Sequence, residues 1–174
     1  IIKVKNIKYL RMNKYILIPL LPFCAFIINI LLGRNFIKNK AHWIAVPAVF
    51  GSFILAVGAF MDVSAGNVVN INLYEWVISG DFHVTIGFLI DQLTALMLID
   101  VTSISTLIFI YSIGYMHGDG GYYRFFAYLC LFVFSMLILV MSNNFLLLYF
   151  GWEAVGLCSY FLIGFWFHKK SAAD

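Results

Sequence analysis

The chain has 174 residues, is 63% hydrophobic and only 11% charged, and carries a formal net charge of +3. A soluble domain of this length would have no way to hide so much apolar surface, whereas a lipid bilayer is itself an apolar solvent. The small, scattered positive charge gives no footprint for nucleic acid.

A membrane-crossing helix needs about 20 mostly apolar residues. In chain order, the sequence predicts a basic segment over 1–14, then a first span from Tyr15 to Leu32 that stops at Gly33 and Arg34. Pro19 and Pro22 fall near the start of that apolar run, where a helix tolerates proline best. A second span follows from Trp43 to Met61, so residues 15–61 make the first helical pair. Residues 62–88 differ in character, with glycines, carboxylates and short apolar alternations. The stretch INLYEWVISGDFHVTIGF reads as two short strands around Ser79, Gly80 and Asp81, a hairpin outside the bilayer. Residues 89–167 hold three more spans, at Leu89–Tyr115, Phe125–Met141 and Phe145–Phe167, and a short tail occupies 168–174. The turn Ser142-Asn143-Asn144 is so short that the last two helices must be antiparallel neighbours. The fold class expected is therefore an all-α polytopic membrane protein of five spans with one extramembrane β-hairpin. No internal repeat or low-complexity linker is visible.

The charges orient these spans. Arg34, Lys38 and Lys40 after span one, and Lys169 and Lys170 in the tail, belong on the cytoplasmic or equivalent side. Asp62, Glu75 and Asp81 then lie with the hairpin on the opposite side. Five spans put the N-terminus there too, yet Lys3, Lys5, Lys8, Arg11 and Lys14 make it basic. A natural start at Met12 would remove the conflict, leaving Lys14 alone. A cleaved signal peptide is the other reading of a basic start before an apolar run, but the run is long and has no small-x-small cleavage site.

Cys24, Cys130 and Cys158 are far apart in apolar runs and form no CxxC pair, which excludes an iron–sulfur or zinc site built from this chain alone. They read as small buried hydrophobes. Glu153 interrupts the apolar stretch LLLYFGWEAVGLCSYFLIGF, about three residues or 4–5 Å from the middle of its span. Insertion of a charge near a helix centre costs about 2.5–3.5 kcal/mol, so such a residue usually faces protein or water and has a function. Desolvation disfavours its charged form, which makes it a group able to take up and release a proton. The competing reading is a permanently protonated or backbone-locked glutamate with a packing role. Gly151, Ala154, Gly156, Cys158, Ser159 and Gly164 suggest a closely packed interior helix, with Tyr149 and Tyr160 as hydroxyl donors near the carboxylate. No Lys, Arg or His lies deep in another span.

Asp100 is a second candidate, in a helix made polar by Thr94, Thr102, Ser103, Ser105 and Thr106. Either a water-facing groove or hydroxyls bonded back to the helix backbone accounts for that composition. Asp91 reads as a helix-start residue. His117, in HGDGGYYR, belongs to an interfacial turn, and no role is assigned to His42, His83 or His168.

The segments YSIGYM, RFFAY and GWEAVGLCSYFLIGFWF, within a likeness running from Met12 onward, resemble the N-terminal part of the largest antiporter-like subunit of respiratory complex I, called subunit L or subunit 5. That resemblance implies several things. Glu153 is the essential protonatable glutamate of a proton path, paired in the family with a lysine on a later helix. The family has many more helices, arranged as two inverted repeats, so the chain looks like a fragment without those lysines. Asp100 stands where relatives often carry a small hydrophobic residue, and Ala154 where glycine is common. Protons move as redox chemistry elsewhere alters the charge near the Glu–Lys pair. NADH, FMN, iron–sulfur clusters and quinone belong to other subunits, and the absence of a GxGxxG fingerprint agrees. The implied partners are neighbouring antiporter-like subunits and the lipid of a bacterial or mitochondrial inner membrane. A homologous cation/proton antiporter or membrane-bound hydrogenase subunit, and a non-transporting helical scaffold, are the alternatives.

Overall fold

The computed structural model describes residues 2–79 and 82–166. Five α-helices, α1 (Ile2–Leu32), α2 (His42–Ser64), α3 (Gln92–Tyr115), α4 (Tyr122–Met141) and α5 (Phe145–Ile163), alternate in direction along the chain. Strands β1 (Val69–Ser79) and β2 (Phe82–Ile90) form an antiparallel hairpin between α2 and α3. Five helical segments, beginning with Lys14–Leu32 and ending with Phe145–Trp166, are long and apolar enough to cross a membrane. The predicted tip residues Gly80 and Asp81, the end of span five at Phe167 and the tail 168–174 lie outside the described residues.

Several boundaries differ from the sequence expectation, each for a local reason. Helix α1 continues back through the basic segment to Ile2, so Pro19 and Pro22 lie in its interior and not near its start. Span three begins at Gln92, because Leu89 and Ile90 pair with Asn70 and Val69 in the hairpin. Asp91 then caps the helix by accepting from the Thr94 N–H at 2.8 Å, the role expected of it. Span four starts three residues early, at Tyr122. The strands are longer than expected, and β1 skips Leu73 and Trp76 at two register shifts, bulges that bend and twist the ribbon.

Helices α1 to α4 pack as a closed group: α1 on α2 and α4, α3 on α2 and α4. The buried stripe of α2, Ala45, Val49, Ser52, Ala56, Ala59 and Val63, is mostly small, and small residues let membrane helices approach closely. Phe109, Phe126, Leu98 and Leu137 fill the space between. Helix α5 stands outside this group, packed chiefly on α4. Its position is held at one end by the α4–α5 turn. Asn143 N–H donates to the Gly87 carbonyl at 3.3 Å, and Asn144 Nδ2 donates to the Thr85 carbonyl at 2.6 Å. The hairpin is thereby tied to the N-terminal end of α5.

Candidate functional site

Glu153 is placed by two sets of constraints on α5. At the helix start, Asn144 Oδ1 accepts from the Leu147 N–H at 2.9 Å, an N-cap that fixes where the helix begins. Along the helix, Leu147, Gly151 and Cys158 are buried. Gly151 is required there: a β-carbon would come within 2.8 Å of the Leu139 α-carbon on α4. Cys158 Sγ lies 3.8 Å from Ser135 Oγ on the same helix α4.

Two residues beyond Gly151 is about 200° around a helix, so Glu153 points away from α4. It is exposed, as are Tyr149, Gly156 and Tyr160 on the same face. Among the described residues the packed side of α5 carries the small residues Gly151 and Cys158, and the carboxylate lies on the open side. Only 17% of the apolar window of α5 is buried, against 28–39% for the other four helices, so α5 is the least covered of the five. Tyr149 stands one turn earlier on the same exposed face as Glu153. Counted from the hairpin end, Glu153 is eight residues into its helix, a rise of about 12 Å. The hairpin reaches toward it, with Trp76 edge-on to Phe150, ring centroids 6.2 Å apart.

Asp100 is also exposed and also eight residues into its helix, at the same depth of about 12 Å. It lies on α3, and no hydrogen bond or ion pair joins it to Glu153 among the described residues. The hydroxyls around it take the local course. Thr102 Oγ1 donates to the Leu98 carbonyl at 2.6 Å, Thr106 Oγ1 to the Thr102 carbonyl at 2.7 Å, and Ser103 Oγ to the Asp100 carbonyl at 3.1 Å. Thr102 and Thr106 are buried in the bundle interior.

The remaining candidates are scattered. His42 Nδ1 lies 2.9 Å from the Tyr122 hydroxyl at one end of the bundle, His83 is on the hairpin, His117 is in the α3–α4 turn, and His168 lies outside the described residues. Cys130 and Cys158 are buried and Cys24 is exposed, all as free thiols. Among the described residues no three His, Cys, Asp or Glu side chains come together as a metal site. Two features had no sequence expectation attached. Lys14 and the Tyr15 hydroxyl both bond Asp62 across the α1–α2 ends, Tyr15 at 2.7 Å. Asn29 is fully buried in α1, with neither atom of its amide partnered among the described residues.

Residues 76–126 match the family model described as NADH-ubiquinone oxidoreductase (complex I), chain 5 N-terminus. Residues 142–174, which include Glu153, match the model described as NADH:quinone oxidoreductase/Mrp antiporter, TM. The chain is 45% identical over 167 residues to an NADH-quinone oxidoreductase subunit L of Neisseria meningitidis, covering 92% of this chain and 24% of the relative. It is 47% identical over 161 residues to subunit L of Rickettsia conorii, with the same coverage. It is 45% identical over 159 residues to NADH-ubiquinone oxidoreductase chain 5 of Podospora anserina, covering 91% and 24%. The chain thus spans about a quarter of the length of these relatives.

Proposed function

The chain belongs to the family of complex I subunit L and chain 5 proteins, and from that membership we propose that it forms part of a proton-translocating membrane subunit of NADH-quinone oxidoreductase. The observation that carries the reading is Glu153. A carboxylate well inside an apolar helix is costly in lipid. Here it stands on a face that the other four helices leave open, with Tyr149 one turn away on the same face. Such a face fits further helices of the complete protein, from which a cationic partner for Glu153 would come.

In this reading Glu153 holds and releases a proton. Gly151 and the Asn144 cap keep the carboxylate at a fixed depth, so that a change in the charge of its partner acts on its proton affinity. NADH, FMN, iron–sulfur clusters and quinone are assigned to other subunits. Neighbouring antiporter-like subunits, and a bacterial or mitochondrial inner membrane, complete the setting.

Glu153→Gln in the full-length subunit, assembled in its complex, tests this. Proton uptake per NADH oxidised is expected to fall about tenfold or more. Unchanged pumping would leave Glu153 structural and the scaffold reading in its place. A second reading, a subunit of a cation/proton antiporter, draws on the breadth of the family model over residues 142–174. Transport that requires sodium and proceeds without NADH oxidation would select it.

A further inference from the structure

The end of the bundle opposite the hairpin carries an arrangement that the proton path does not use. Between α1 and α2 the chain makes a five-residue π turn (Gly33–Ile37) and a short 3₁₀ turn (Lys38–Lys40). The π turn closes with the Lys38 N–H bonded to the Gly33 carbonyl, and Lys38 takes a positive φ of 42°, a backbone that L side chains rarely adopt. Gly33 lets this turn press against the ring of Tyr123 at the start of α4, in space a β-carbon would need. The result is a hollow of about 340 Å³ lined by Arg34, Lys38, Gly120, Tyr122 and Tyr123. Neither Arg34 nor Lys38 makes a salt bridge among the described residues. The one carboxylate at this end among those residues, Asp119, accepts from the Gly121 N–H at 2.7 Å and from Trp166 Nε1 at 3.0 Å.

The same turn has an apolar side. A second hollow, about 440 Å³, is lined by Phe36, Ile37, Lys40, Trp43 and Ile44. Phe36 is 81% exposed and Trp43 72% exposed. A free anion would be served by the first hollow alone and has no use for the second. Cations beside a Trp-lined apolar surface at the mouth of membrane helices match a molecule that is anionic at one end and hydrocarbon at the other.

We infer that the α1–α2 turn is a binding site for an anionic phospholipid. Arg34 and Lys38 hold the headgroup phosphate, assisted by the phenol of Tyr123, and the acyl chains lie against Phe36 and Trp43. The site is independent of the role given to Glu153.

The experiment uses the full-length subunit in its complex, in phosphatidylcholine nanodiscs. The probes are phosphatidylglycerol and phosphatidylcholine with the same photoactivatable acyl chain. Labelling of residues 36–44 is expected to favour phosphatidylglycerol by about tenfold, a preference that two juxtamembrane cations suffice to give. Arg34→Gln with Lys38→Gln is expected to bring the two probes level. Lys38→Gln alone should lower the preference several-fold, which keeps the test decisive if the double variant fails to assemble. Equal labelling of the unaltered protein by both lipids would overturn the inference. So would cross-linking of residues 36–44 to a neighbouring subunit in place of lipid, or loss of labelling when inorganic phosphate is added, the mark of a free-anion site.

Discussion

Ser52 Oγ on α2 donates to the carbonyl oxygen of Ile18 on α1 at 2.8 Å, in the buried interface of the two helices. Pro22 lies four residues after Ile18 and has no N–H, so that carbonyl lacks its helical partner. In hydrocarbon such a group must be satisfied by a neighbour, and Ser52 does so. Ser52→Ala is expected to lower stability by about 1–2 kcal/mol. In a chain that also carries Pro22→Ala the helix supplies its own donor, and most of that loss should vanish. Thermal unfolding midpoints of the full-length protein in detergent measure both. An equal loss in the two backgrounds would mean that Ser52 acts by packing alone.

The five spans were legible because each is an apolar run of sufficient length, a signal that lipid makes strong. The hairpin was legible from alternation around Gly80. What could not be read were relationships between segments. Pro22 is visible in the sequence, but that Ser52 answers it depends on how α1 and α2 pack. Asn143 and Asn144 read as a short turn, and their bonds to Gly87 and Thr85 appear only once the hairpin folds back on that turn. Glu153 was legible as a costly residue from its neighbours in sequence. Its side of the helix was not, since small residues occur all around α5 and only the contacts of Gly151 with Leu139 and of Cys158 with Ser135 mark the packed side. The basic 1–14 segment was read from charge alone, and α1 extends through it regardless.

Gly151 and Gly58 make a matched pair. A β-carbon at Gly151 meets the Leu139 backbone, whereas one at Gly58 on α2 meets nothing within 4 Å. Gly151→Ala should push α5 off α4 and cost about 1–3 kcal/mol. Gly58→Ala should be neutral or gain up to about 1 kcal/mol, because alanine is the better helix former. Melting of the two variants side by side checks the ranking, and a reversed order would contradict the α4–α5 packing described here.

Asn29 is 0% exposed and neither amide atom has a partner among the described residues. Burying a polar group without a hydrogen bond costs about 1–3 kcal/mol. Asn29→Leu keeps a similar size and removes the unmet donors and acceptor, so it is expected to stabilise the full-length protein by about 1 kcal/mol. A lower melting midpoint for Asn29→Leu would instead reveal a buried water bound to the amide, which leucine expels.

Tyr149 offers the finest test of the proton-path reading, because it stands one turn from Glu153 on the same open face of α5. In that reading its hydroxyl lies along the route by which a proton reaches the carboxylate. Tyr149→Phe is then expected to lower pumping by the complete complex by about two- to tenfold. NADH oxidation uncoupled from pumping should be unchanged. Glu153→Gln, by contrast, should show low pumping at every pH, since an amide has no proton to exchange. Unchanged pumping by Tyr149→Phe would assign the tyrosine to the lipid- or helix-facing surface of α5 and remove it from the path.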